Sequence, residues 1–232
     1  MKKIIIVTLL FALFPFCTKA QKPRIVQDDR LAVSFNYGAS YRLGKLSDDI
    51  PGSDREFYEH MKWGHNFNGD AVWYFNDGLG LGLKGSCYKN TLEHGGSLPS
   101  GVIYLGGDYS TMTYIAPEVS CRVKSGKNAF VCNVGFGYLD FWEQVGRIQN
   151  YPWVDVHGAT IGCSADIKYE RYLFDWFSVG IDFTSILGKL RLDESVYHIE
   201  GADSGYKIES VDVRDESLCH YTLSIGLAFH LF

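Results

Sequence analysis

The chain has 232 residues and a formal net charge of −5, an acidic balance that makes nucleic acid a poor partner. Lys2 and Lys3, an apolar run from Ile4 to Phe16 and then Thr18-Lys19-Ala20 match the three parts of a secretory signal, so residues 1–20 are expected to be cleaved near Ala20. Cys17 invites a lipoprotein reading, but Phe14, Pro15 and Phe16 are bulky where lipid-attachment motifs carry small residues. Loss of three lysines leaves residues 21–232 with a formal charge of −8. No stretch in that remainder approaches the roughly 18 apolar residues of a membrane helix, and a closed barrel is the other structure that satisfies its backbone in lipid.

Eight alternating segments follow in chain order. From Leu31 to Leu43, Leu31, Val33, Phe35, Tyr37, Ala39, Tyr41 and Leu43 share one face, and Ser34, Asn36, Gly38, Ser40 and Arg42 share the other. A period of two is the signature of a strand. The second segment, about Met61 to Phe75, leads into Asn76-Asp77-Gly78, residue types that tolerate the positive φ of a hairpin turn. The third spans Leu79 to Tyr88 and the fourth Met112 to Val123, where Pro117 predicts a local bulge because proline cannot donate to a ladder. Lys124 to Lys127 reads as a second short turn. The fifth segment is Asn128 to Trp142 and the sixth Val154 to Tyr169; Glu170 to Asp175 reads as the third short connection. The seventh is Trp176 to Gly188 and the last Ser217 to Phe232. Short connections thus alternate with long ones at about 44–60, 89–111, 143–153 and 189–216, the rhythm of a barrel with short periplasmic turns and long outer loops.

The expected fold class is therefore all-β, an eight-stranded antiparallel up-and-down transmembrane β-barrel formed by residues 21–232. A soluble barrel with the greasy face inward is excluded by volume. An eight-stranded interior is just wide enough to be filled by side chains, too narrow for Phe35, Tyr37, Trp63, Phe67, Trp73, Phe130, Phe136, Phe177, Phe183 and Phe229 together. The Gly-, Ser- and Thr-rich face fits inside, and aromatics near the strand ends, including Tyr41, Trp63, Phe75, Tyr138 and Tyr169, are placed for two interfacial girdles.

On its signal, eight segments, loop rhythm and terminal Phe232, the chain resembles the small outer-membrane barrels of the OmpA transmembrane-domain and OmpX type. That resemblance implies the outer membrane of a Gram-negative bacterium, outer-membrane lipid and lipopolysaccharide as surroundings, and the barrel-assembly machinery as a partner. Phe232 departs from the family pattern, being out of phase with the outward Ile225, Leu227 and Phe229.

Inside the barrel the expected polar network comprises Asp70, Lys84, Glu118, Arg122, Asp166 and Asp182. Buried charges are costly unless paired, and equal counting from the periplasmic end predicts a Lys84–Glu118 ion pair. Histidines gather toward the outer rim, where His60, His65 and His220, with Asp193 and Glu194 in the last acidic loop, are the candidate weak metal or surface contacts. Cys87, Cys121, Cys132, Cys163 and Cys219 fall on the apolar face and read as small hydrophobes. No cofactor is implied, and Gly-x-Ser-x-Gly, His-Glu-x-x-His and phosphate-loop motifs are absent from the sequence. The expected function is a non-catalytic barrel whose outer loops contact envelope components, host molecules or partner proteins. A narrow gated channel, an accessory barrel of a protein-export machine and a lipid-modifying enzyme, with His157, His65 or His220 beside a serine, are the alternatives.

Overall fold

The computed structural model describes residues 30–44, 52–53, 55–93, 96–97, 103–105, 107–145, 147–148, 154–192, 197–199 and 214–231. The expected export signal at residues 1–20, Phe232, Asp193 and Glu194 lie outside them. Eight long strands form the wall: β1 (Leu31–Arg42), β2 (Trp63–Tyr74), β3 (Leu79–Glu93), β4 (Gly107–Ser125), β5 (Asn128–Val145), β6 (Val154–Phe174), β7 (Phe177–Leu192) and β8 (His220–Leu231). Each pairs antiparallel with its neighbours in sequence, and β1 pairs with β8, which closes the cylinder.

Which face points outward follows from exposure. Along β1, Phe35 and Tyr37 are 46% and 56% exposed while Ser34 and Asn36 are each 5%. The same pattern runs round the wall, through Phe67, Leu83, Val119, Val134, Ile167, Ile181 and Ile225. A surface of this composition has no stable place in water and is the lipid-facing belt of a transmembrane barrel. Along β8 it extends from Tyr221 to Leu231, about 25 Å of height for a strand tilted by about 40°. Aromatic contacts mark both rims. Tyr41 packs on Trp63 (5.0 Å between ring centroids) at one end, and Trp176 packs on Phe174 (5.8 Å), Phe177 (5.6 Å) and Phe229 (6.2 Å) at the other.

Several segment ends differ from expectation. Glu170 to Phe174 continues β6, so the third short connection is only the turn at Asp175–Trp176. Ser217 belongs to a short strand, Arg214–Ser217, that pairs with the outer end of β7, and β8 begins at His220. A short helix, α1 (Arg55–His60), stands in the first long connection. Pro117 causes no bulge. The β4–β5 ladder lacks pairs at Ala116 and Pro117 but resumes in the same register, from Ile115↔Tyr138 to Glu118↔Gly135. Gly137 permits the close approach there, since a Cβ on it would lie 2.2 Å from Ile115 O. At the β4–β5 turn, Gly126 adopts φ of +59°, a conformation natural to glycine.

Five strands, β3 to β7, continue past the lipid belt, and their alternation holds while its chemistry reverses. On β7 the buried positions pass from Ser178, Asp182 and Thr184 to Ile186, Leu190 and Leu192; the outward ones pass from Ile181, Phe183 and Leu187 to Lys189 and Arg191. On β5, Leu139 and Phe141 follow Asn133 on the inside, and Asp140 follows Tyr138 outside. The strands are thus polar inside within the membrane and apolar inside above it, as water on the outer face requires.

Candidate functional site

The lower and middle lumen is a buried polar network. Lys84 Nζ donates to Asp166 Oδ1 at 2.9 Å with both side chains wholly buried. Lys168 Nζ pairs with Asp70 and donates to Ser34 Oγ (3.1 Å), while Ser34 Oγ donates to Asp70 Oδ2 at 2.5 Å. Asn133 donates to Glu118 Oε1 (3.4 Å), and Thr184 Oγ1 donates to Asp182 Oδ2 (3.1 Å). Arg122 lies over the Tyr74 ring, its guanidinium carbon 3.7 Å from the centroid.

The predicted Lys84–Glu118 pair is replaced by Lys84–Asp166, and the reason is stagger. Leu79 pairs with Cys121 rather than Val123, so Glu118 stands opposite Gly82 and Lys84 opposite Ala116. A barrel must shear to close, and that shift sends the ammonium across the lumen to β6.

Above this layer the lumen is filled by an apolar cluster that the sequence reading did not anticipate. It includes Tyr88, Met112, Tyr114, Leu139, Phe141, Val156, Ile186, Leu190, Leu192 and Leu218. His220 belongs to this interior, 1% exposed, with its ring 5.3 Å from Tyr88 and Nδ1 3.1 Å from Leu218 O. Its expected role as a surface contact is therefore corrected: β8 begins low, and its first inward residue faces the plug. Arg42 crosses the top of the plug to Glu216 (2.9 Å) and Glu143 (3.6 Å).

The other rim histidines are dispersed. His60 is exposed on α1, and His65 faces outward, stacked on Tyr37 at 5.9 Å. His157 Nε2 lies 3.2 Å from Asp140 Oδ1, which also accepts from Tyr138 OH (3.2 Å). Beside α1, Lys62 donates to Glu59 Oε1 (3.1 Å) and Tyr41 OH to Oε2 (3.2 Å); the Lys62 hydrogen bond leads in holding the Glu59 carboxyl below its ordinary pKa. Among the described residues no group of three His, Cys, Asp or Glu side chains is arranged for a metal ion.

A serine–histidine hydrogen bond does occur, at the opposite end from the one sequence reasoning favoured. His230 Nε2 is 2.9 Å from Ser178 Oγ and 3.6 Å from Glu170 Oε2, and Tyr172 OH is 3.3 Å from Nδ1. Ser178 and His230 are 0% and 1% exposed, and the cluster links β6, β7 and β8 at the end of the wall that carries the short turns. Cys87, Cys132, Cys163 and Cys219 are free thiols.

A closed meander of eight antiparallel strands, greasy outside and polar within, has direct counterparts among solved structures. The chain has the fold of the small eight-stranded outer-membrane barrels. Neisserial surface protein A superposes with a TM-score of 0.50 at 9% identity, covering 87% of this chain and 97% of its own. The outer membrane protein OprG from Pseudomonas aeruginosa gives 0.51 at 9% identity, covering 87% and 96%. No family model matches the chain, and no curated protein matches its sequence.

Proposed function

We propose that this barrel is a non-catalytic anchor in the outer membrane of a Gram-negative bacterium, exported with removal of residues 1–20 and inserted by the barrel-assembly machinery, which holds its outer loops against envelope or surface partners. The observation that carries this reading is the polarity reversal in β3 to β7. It raises a water-facing, solidly filled extension about 15 Å above the lipid belt, estimated from some five to seven further residues per strand. Loop residues pair as well: Tyr197–Ile199 adds to the extension through Val154–Val156 of β6, and Tyr104 pairs with Ile148 in a small sheet of its own that joins the second and third long connections. Connections held in place before binding lose less entropy when a partner arrives, and binding residues commonly sit on loops of a rigid scaffold.

The test exchanges residues 94–106 and 146–153 for short turns and recovers crosslinked partners from intact outer membranes. Retained folding with loss of the crosslinked species is expected. Undiminished capture by this barrel would refute display by these two connections, and undiminished capture after residues 45–54 and 193–213 are shortened as well would refute loop display. A barrel plugged in both halves also predicts negligible ion conductance in planar bilayers, and a steady open current from the wild-type protein would favour the channel alternative.

A further inference from the structure

We propose that the outer rim of the wall between β2 and β4 binds a phosphate monoester carried by a lipid of the outer leaflet, with Lys89 supplying the charge and His65 and Thr111 the flanking donors. The ladder sets these three in one row: His65 pairs with Lys89, and Lys89 with Thr111. Directly opposed residues point to the same face with their Cβ atoms about 5 Å apart. Here that face is outward, with His65 and Lys89 exposed and Thr111 half-buried.

The row stands where lipid gives way to water. On β3 the outward residues run through Leu81, Leu83, Gly85 and Cys87, and Lys89 is the first charge among them. On β2, His65 comes next above the exposed Phe67, and the exposed Trp63 above His65. Tyr37 of β1 stacks on the His65 ring, so aromatic side chains border the row on one side. The site rests on the barrel's place in a membrane and not on its outer loops, none of which it uses.

What sets the row apart is its lack of counter-charge. Lys62 pairs with Glu59, His157 with Asp140 and Lys189 with Asp215, whereas among the described residues no carboxylate pairs with Lys89 or His65. The chain carries 27 acids against 22 Lys and Arg, so two adjacent outward cations without an acid run against its composition. An ammonium, an imidazole N–H and a hydroxyl side by side match an anion with three terminal oxygens better than a carboxylate with two, and lysine binds phosphate as a point charge. Exposed groups alone would have to hold a free phosphate from bulk water. A lipid instead lays its chains against Phe67 and Leu83 and keeps its phosphate at this height, which raises the local concentration of the anion.

The experiment applies native mass spectrometry to the full mature barrel released from dodecyl maltoside micelles doped with dilauroyl phosphatidic acid. Wild-type protein should retain one such lipid. Micelles doped equally with dilauroyl phosphatidylcholine, a phosphodiester bearing a choline cation, should leave several-fold less, and undoped micelles with inorganic phosphate should leave none. Lys89→Gln should lower phosphatidic acid retention several-fold, while Lys189→Gln, which removes a cation already paired with Asp215, should leave it unchanged. Equal retention of the two lipids would overturn the proposal, because the belt would then be merely solvated by lipid. Inorganic phosphate held as well as the lipid, or retention unaffected by Lys89→Gln, would overturn it too. If Lys89→Gln does not fold, the wild-type comparison still decides, and His65→Gln serves as the second variant, expected to lower retention in the same direction.

Discussion

The membrane interior makes the pairing of individual lumen residues consequential. Lys84 and Asp166 are both fully buried at 2.9 Å, so removing one partner strands the other. Lys84→Met should cost about 3–5 kcal/mol, whereas Lys84→Met with Asp166→Leu should recover most of that loss, since an apolar pair leaves no orphaned charge. Urea unfolding in lipid vesicles checks both values; a double variant no better than the single one would show that the pair is not an isolated unit. The outward face answers to the opposite rule. Ile181 is 54% exposed within the belt, and Ile181→Arg should destabilise insertion by about 2–4 kcal/mol, measured by the same titration. Sequence alone showed that Lys84, Asp166 and Asp182 face inward, because alternation fixes the face. It did not show which charges meet, because shear is a property of the closed cylinder and leaves no mark on any one strand.

Whole strands depend on where the alternation changes meaning. The belt was legible in runs such as Phe35-x-Tyr37 and Phe177-x-Val179-x-Ile181-x-Phe183, where polar and apolar residues strictly alternate. The outer extensions were not. Leu190 and Leu192 keep the inward phase but bring apolar side chains to a face that is polar lower down, so a rule of greasy outside and polar inside ends the seventh segment at Gly188, too early, whereas the fifth and sixth segments already reach Trp142 and Val154. The readable signal was Lys189 and Arg191 alternating with Leu190 and Leu192, ordinary soluble-barrel patterning. Phe141→Ala should therefore cost about 3–5 kcal/mol by opening a cavity in the plug, and hydrogen exchange should quicken in the outer ends of β4 to β6 while the belt stays protected. Uniform acceleration along those strands would mean that the two halves are a single cooperative layer. Gly137 provides a second element-scale test. An added methyl would meet Ile115 O and the Ala116 backbone, so Gly137→Ala should weaken the β4–β5 pairing beside Pro117 by about 1–3 kcal/mol, read as a lower urea midpoint.

For the whole molecule, β1, β2 and β8 stop near Arg42, Trp63 and His220 while β3 to β7 climb past them. The polarity reversal on the taller strands also works as a waterline. Sliding the barrel one residue deeper would press Lys189, Arg191 and His157 toward hydrocarbon; lifting it equally would wet Ile161 and Leu187. Its vertical position in the bilayer is accordingly pinned, and a sheet of lipid too thin or too thick must bend to meet the protein, because the protein has no cheap way to ride higher or lower.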